Sequence, residues 1–224
     1  MLWFTSDTHF GHANVLHFTD RPFGDIAHMN RALINAINER VAPTDDLYIL
    51  GDFSYQMTAV EAAALRSKIN CRKVHIVPGN HDKDWTHKDV AGTFIVEPPI
   101  VRINIHGQKI VLSHYPLMEW QSMSRGSWHL HGHIHSAGSV YNELNRKQGL
   151  MRYDVGVDAN DLAPVSLDEI RAWFEGVEFY GRARWWEWVN GTGDPAVAED
   201  CEVVRELMVE VDRDPVSYTH LRAH

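Results

Sequence analysis

Apolar and polar positions change their period several times along the chain, and those changes divide it into elements. Residues 2–6 (LWFTS) form a short apolar run that reads as a buried strand, delivering Asp7 at its carboxyl end. Met29, Leu33, Ile37 and Val41 then recur at helical spacing behind Asp25, a residue type that caps amino termini. A helix is therefore predicted over about 26–40. Residues 47–50 (LYIL) read as a second strand, stopped by Gly51-Asp52. Thr58 and Glu61 have the spacing of a reciprocal cap, so a helix is predicted from 59 to about 69. Residues 74–77 read as a third strand, ended by Pro78-Gly79.

The second half has a different rhythm. Val101, Ile103 and Ile105 alternate with polar residues, His106-Gly107 offers a turn, and 110–112 is apolar again. That pattern predicts an antiparallel hairpin. Residues 128–131 and 151–157 supply further strands, and Ser166 with Glu169 forms a second cap, opening a helix to about 175. Strands alternating with helices, then a hairpin, predict an α/β domain over 1–176 with mixed sheets. Residues 177–215 read as an accessory segment packed on that domain. They hold a basic, Trp-rich stretch at 182–188 and a short amphipathic helix at 203–211. The Trp cluster reads as buried packing ahead of a partner surface, because Trp is highly buried on average. The tail 216–224 (VSYTHLRAH) resembles, residue for residue, a one-frame translation of a sequencing-library transposase adapter. It is read as an artefact and excluded from the fold.

Charge and composition narrow the function. The formal net charge is -9, which repels nucleic-acid backbones and leaves no electrostatic footprint of a dedicated DNA or RNA binder. A nucleotide substrate stays open, since bound cations supply positive charge locally. Cys71 and Cys201 stand far apart and outside any CxxC pattern, which reads as a reducing compartment without a disulfide framework. No run approaches the roughly 20 apolar residues that span a bilayer, and the apolar start is too short for a signal peptide. A cytoplasmic location without membrane contact is expected; oligomeric state is not legible.

Five short motifs carry the chemistry: Asp7-Thr8-His9, Gly51-Asp52, Gly79-Asn80-His81-Asp82, Ser113-His114-Tyr115 and Gly132-His133-Ile134-His135. Each follows an apolar run that reads as a strand. Ligands of open α/β sheets bind outside the carboxyl ends of strands, so the five segments can converge on one site. Singly, each motif is a common fragment. Together they offer carboxylate and amide oxygens plus imidazoles, a donor set suited to Mn, Fe, Zn or Ni at a hydrolytic centre.

In this order the motifs resemble the pattern of the calcineurin-like metallophosphoesterases: D-x-H, G-D, G-N-H-[DE], H, G-H-x-H. The likeness covers roughly residues 1–175. It implies a four-layer α/β/β/α sandwich holding two divalent metal ions, manganese first among the candidates. Carried over by position, Asp7, His9 and His135 hold one metal, Asp52 bridges both, and Asn80, His114 and His133 hold the second. His81 is then the catalytic histidine that binds no metal, and Asp82 orients it. The implied reaction is hydrolysis of a phosphomono- or phosphodiester by a hydroxide shared between the two metals. His81 would hydrogen-bond the phosphoryl group or protonate the leaving alkoxide.

Departures from related branches sharpen the likeness. Ser/Thr protein phosphatases carry G-D-x-x-D-R-G and G-N-H-E, whereas here Phe53-Ser54-Tyr55-Gln56 follows Asp52, and Asp82 follows His81. The opening FTSDTHFGH with Asn14 and Arg21-Pro22-Phe23 is similar to a small bacterial and phage branch of phosphoesterases. His12, Asn14 and Arg21 are candidate contacts to the substrate phosphate; the alternative is that they cap loops or support the site from behind. His129 and His131 share a face with His133 and His135 if the strand period of two persists. The expected partner is a small, nucleotide-like phosphoester. A nuclease with the same centre, or a metal-binding scaffold with vestigial activity, are the alternatives.

Overall fold

The structure is a computed structural model and describes residues 1–177. Its elements run β1 (Leu2–Thr5), α1 (Val15–Phe18), α2 (Ile26–Arg40), β2 (Asp46–Ile49), α3 (Ala59–Arg66), β3 (Lys73–Ile76), β4 (Ile95–Val96), β5 (Ile100–Ile105), β6 (Gln108–Ser113), β7 (Trp128–His131), α4 (Val140–Lys147), β8 (Arg152–Asp154), β9 (Val165–Ser166) and α5 (Leu167–Phe174). Two sheets result. The first has the order β4-β3-β2-β1-β9, parallel except for β9, and the second has the order β5-β6-β7-β8. In the second, β5 and β6 form the expected antiparallel hairpin, while β7 and β8 add in parallel. Its turn uses left-handed backbone at His106 (φ 50°) and Gly107 (φ 90°), the geometry that matches the twist of the flanking strands.

Side-chain alternation builds the layers. In β1 and β2, Trp3, Leu47 and Ile49 face one core, where they meet Met29, Leu33 and Ile37 of α2. Phe4, Leu50 and Val77 face the other way and pack on Ile110, Leu112 and Leu130 of the second sheet. The outward face of β7 carries His129 and His131, covered by Trp120 and by Tyr141 of α4. Helix, sheet, sheet, helix is therefore the layer order, as the motif likeness implied. Asp25 caps α2 by accepting the His28 N–H at 2.7 Å. Thr58 and Ser166 form complete reciprocal caps with Glu61 and Glu169.

Several expectations change. Helix α3 ends at Arg66, and the strand expected over 151–157 stops at Asp154. There the Gly156 N–H folds back onto the Asp154 carboxylate at 2.8 Å. Elements α1, α4, β4 and β9 were not expected. Strand β7 stops at His131, and His133 (φ 76°) and His135 (φ 47°) break the period of two. His129 and His131 therefore face the helix layer, not the face that His133 and His135 reach. The Trp-rich stretch 182–188, the helix at 203–211 and the tail 216–224 lie outside the described residues. Among the described residues no helix is long and apolar enough to cross a membrane.

Candidate metal centre

Parallel pairing puts the carboxyl ends of β1, β2 and β3 on one side, and β6 with β7 does the same in the second sheet. All five motifs leave strands at these ends. The two ends are joined by a backbone bridge between Ser6 and Gly156 and by the His133 N–H, which donates to Asp7 Oδ2 at 2.9 Å. Within the motifs, Asp7, His9, Asp52, His133 and His135 all have left-handed backbone, with φ between 47° and 76°. Such conformations are uncommon outside glycine and persist where neighbours over-determine them. Here Asp7 and His9 N–H donate to the carbonyls of Gly51 and Asp52 at 3.1 and 3.0 Å, lacing the first two motifs together.

Glycine permits the close approach. A Cβ on Gly132 would stand 2.0 Å from Ser6 Oγ and 2.2 Å from Asp7 Oδ2. One on Gly79 would stand 2.3 Å from Asp52 Oδ1. Gly79 and Gly132 thus leave the space that the carboxylates occupy.

Two groups of donors form. Asp7, His9 and His135 make the first, and Asp52, His114 and His133 the second, each with atoms placed to hold a metal ion. Asp52 stands between them: its Oδ2 is 3.5 Å from His9 Nε2 and 3.5 Å from His114 Nε2. Asn80 joins the second group, with Oδ1 2.9 Å from His114 Nε2. His114 donates from Nδ1 to the Leu50 carbonyl at 2.8 Å, which turns its Nε2 towards Asn80 and Asp52. In the first group, His135 Nε2 faces His9 Nε2 at 3.1 Å, and Asp7 Oδ1 is buried without a hydrogen-bond partner. Carboxylate, amide and imidazole atoms converge at both places, and Asp7 Oδ1 among them has no partner. A cation is what such a donor set lacks.

The electrostatics agree. Burial, with repulsion from Asp7, pushes the Asp52 carboxyl up to about 7, against the pull of His114. Burial and neighbouring His135 hold His9 well below the usual imidazole range. Burial and His114 lower His133 to about 4. These imidazoles are neutral and free to ligate.

Other predicted residues behave differently. His81 keeps its side chain 26% exposed at the mouth of the site, with Nε2 3.9 Å from Asp52 Oδ2, and its N–H donates to Asp52 Oδ1 at 2.9 Å. Asp82, expected to orient the His81 ring, accepts backbone N–H groups from Gly79, Asp52 and Phe53 at 2.8–3.1 Å and so fixes the loop that carries His81. Arg21, a candidate phosphate contact, is buried and committed: it forks onto Asp158 at 2.8 and 2.9 Å, donates to the Asp7 and Thr8 carbonyls and turns its fifth N–H to Met29 Sδ at 3.6 Å. A guanidinium so engaged has no donor left for substrate. His12 is buried beside the first group, its ring 4.1 Å from that of Tyr55 and 5.3 Å from that of His9. Asn14 is exposed before α1 and makes no side-chain cap.

Asp158 was missed. Its Oδ2 accepts from His135 Nδ1 at 2.7 Å. The signal available was positional: Asp158 follows a strand end, like every other member of the site.

Two facing sheets with paired donor groups at their joined carboxyl ends define an α/β protein with a candidate metal centre. The model of the calcineurin-like phosphoesterase superfamily domain matches residues 2–156, and the chain belongs to that family. The uncharacterized protein MJ1445 of Methanocaldococcus jannaschii is 31% identical over 170 residues, covering 75% of this chain and 88% of the relative. The gene 66 protein of Mycobacterium phage D29 is 29% identical over 206 residues, 79% and 97% of the two chains. A solved protein of unknown function, AQ665 of Aquifex aeolicus, shares the fold at a TM-score of 0.60 with 25% identity, covering 77% of this chain and 98% of that one.

Proposed function

We propose that the chain is a dinuclear metal-dependent phosphoric ester hydrolase acting on a small, nucleotide-like phosphomono- or phosphodiester. The observation that carries this is the Asp52 carboxylate, equidistant at 3.5 Å from an imidazole of each donor group. Asp7, His9 and His135 would hold one divalent ion, Asn80, His114 and His133 the other, and Asp52 would be shared. The mixed oxygen and imidazole donors, with no cysteine among them, favour manganese, and are compatible with iron, zinc or nickel. Two such ions supply Lewis acidity to a phosphoryl group and lower the pKa of water.

The chain's own residues do the rest. The interlaced backbone of the first two motifs holds the donors in place before substrate arrives, so little reorganisation accompanies reaction. His81, partly exposed at the rim, is placed to donate a hydrogen bond to a phosphoryl oxygen or a proton to the departing alkoxide. Phe53 to Gln56 follow Asp52 where the protein phosphatases carry a basic residue, and the acidic net charge disfavours polymers. A cytoplasmic setting is supported by Cys71, which is free and buried, with its thiol pushed up by burial.

The test is turnover of bis-p-nitrophenyl phosphate, p-nitrophenyl phosphate, cyclic nucleotides and single-stranded DNA after loading with manganese, nickel, zinc or iron. Hydrolysis of the small esters, abolished in Asp52→Asn, is the expected result. No turnover of any of the four with any metal overturns the proposal. Cleavage of DNA alone, weakening steeply with salt, identifies a nuclease instead.

A further inference from the structure

The first donor group has a support built from residues outside the five donor motifs. His135 donates from Nδ1 to Asp158 Oδ2 at 2.7 Å, which turns its Nε2 towards His9 and Asp7. Asp158 in turn sits in the fork of Arg21, whose Nε and Nη2 lie 2.8 and 2.9 Å from its two oxygens. The same guanidinium donates to the Thr8 carbonyl at 3.0 Å and the Asp7 carbonyl at 2.7 Å. The Arg21 and Asp158 side chains are only 1% and 5% exposed. One buried cation therefore ties the backbone of the Asp7-to-His9 loop, on the first sheet, to the ring of His135, beyond the second.

We propose that Asp158, held by Arg21, is the positioning residue of His135. It sets the tautomer and aim of that imidazole and so determines the cation affinity of the first donor group. The inference rests on the two-metal reading above. The geometry supports it over simple packing. A bidentate fork fixes the Asp158 plane, and His135 meets the very oxygen that Nη2 also holds. Nothing else among the described residues bonds to the His135 Nδ1. Breaking the chain at Asp158 or at Arg21 leaves the ring free to rotate or to take the other tautomer. Changes of this kind behind a ligating histidine lower metal affinity by about 10- to 100-fold.

Two measurements test it. In the metal-free wild type at alkaline pH, where the ring carries one proton, two-bond ¹H–¹⁵N correlation spectra, with His135 assigned through its loss in His135→Gln, should show the Nδ1–H tautomer. An Nε2–H tautomer overturns the inference without any variant at Asp158. Titration with Mn²⁺, followed by the paramagnetic resonance of the free ion, should give two sites in the wild type. Asp158→Asn should weaken one of them about 10- to 100-fold and leave the other within about threefold. Arg21→Lys, which keeps the charge but cannot fork, should weaken the same site and keeps the test usable if Asp158→Asn misfolds. Unchanged affinities at both sites overturn the inference alone. Equal weakening of both sites, in step with a lower unfolding temperature of the metal-free protein, also overturns it by assigning the pair to structure. If the wild type binds no Mn²⁺ at all, the two-metal reading fails and this inference with it.

Discussion

His81 and Asp52 are adjacent in the site but differ in exposure, and that difference separates their roles. The Asp52 side chain is 3% exposed between the donor groups, whereas that of His81 is 26% exposed at the rim, where the proposed reaction would release its leaving group. An alkoxide needs a proton on departure, and p-nitrophenolate needs one far less. His81→Ala should therefore lower kcat for an alkyl phosphodiester by about 10²–10⁴-fold, in the range for a general acid, and lower it much less for the p-nitrophenyl ester. Equal losses on both would exclude proton donation. A second residue-scale expectation concerns His129, whose Nε2 accepts the Leu117 N–H at 2.9 Å and whose Nδ1 donates to the Val111 carbonyl at 3.2 Å. Burial lowers it to about 3. Its folded pKa lies below the unfolded value of about 6.5, so its stabilisation is full above that value and is lost as pH falls towards 3. Between pH 7 and 5 this one group should remove about 2 kcal/mol. Urea unfolding at the two pH values should show a smaller loss in His129→Gln; identical losses would refute the assignment. The donor residues were legible in the sequence because they cluster in short motifs. Arg21 was singled out, with support of the site from behind as its alternative, but its pairing with Asp158 was not legible, because it lies in a contact between residues 137 positions apart.

Elements with an apolar stripe were legible, and those without one were not. Helix α2 shows Met29, Leu33 and Ile37 on its buried face. Helix α4 instead buries Asn142 and Asn145. The Asn142 amide accepts the Asp154 N–H at 2.7 Å and donates to the Asp154 carbonyl at 3.1 Å, standing in for the strand that edge strand β8 lacks. Periodicity cannot reveal a helix whose contact face is amide. Strands β4 and β9, each two residues long, fall below the length at which any alternation can be read. The end of β7 is a third case. A strand period extended from Trp128 misplaces His133 and His135, because Gly132 lets the chain turn across Ser6 and Asp7. Gly132→Ala should push Asp7 out of place. A displacement of the order of 1 Å costs about 100-fold in turnover, so kcat/KM should fall by about that factor while far-ultraviolet dichroism stays unchanged. A variant with full activity would show that the loop can yield elsewhere.

The whole molecule has its candidate centre at a seam. Asp7, His9, Asp52 and Asn80 come from the first sheet, and His114, His133 and His135 from the second, so ions held by both groups would bind the two sheets to one another. Without cations the seam holds converging lone pairs and an Asp52 carboxyl pushed up by burial and by Asp7, an arrangement that works against closure of the sandwich. Loading should therefore stabilise the entire domain by mass action, since the donors are dispersed in the unfolded chain. At 100 times the dissociation constant one site contributes about 2.7 kcal/mol. For a domain of this size, 1 kcal/mol moves the unfolding midpoint by about 2–4 °C, so a rise of roughly 5–10 °C per saturated site is expected by calorimetry. Chelation should reverse it. Asp52→Asn should flatten the response more than a change at any other donor, because that carboxylate alone faces both groups. A midpoint indifferent to Mn²⁺ would show that the two sheets close without ions, and that the donor groups are polar packing at the end of the sandwich.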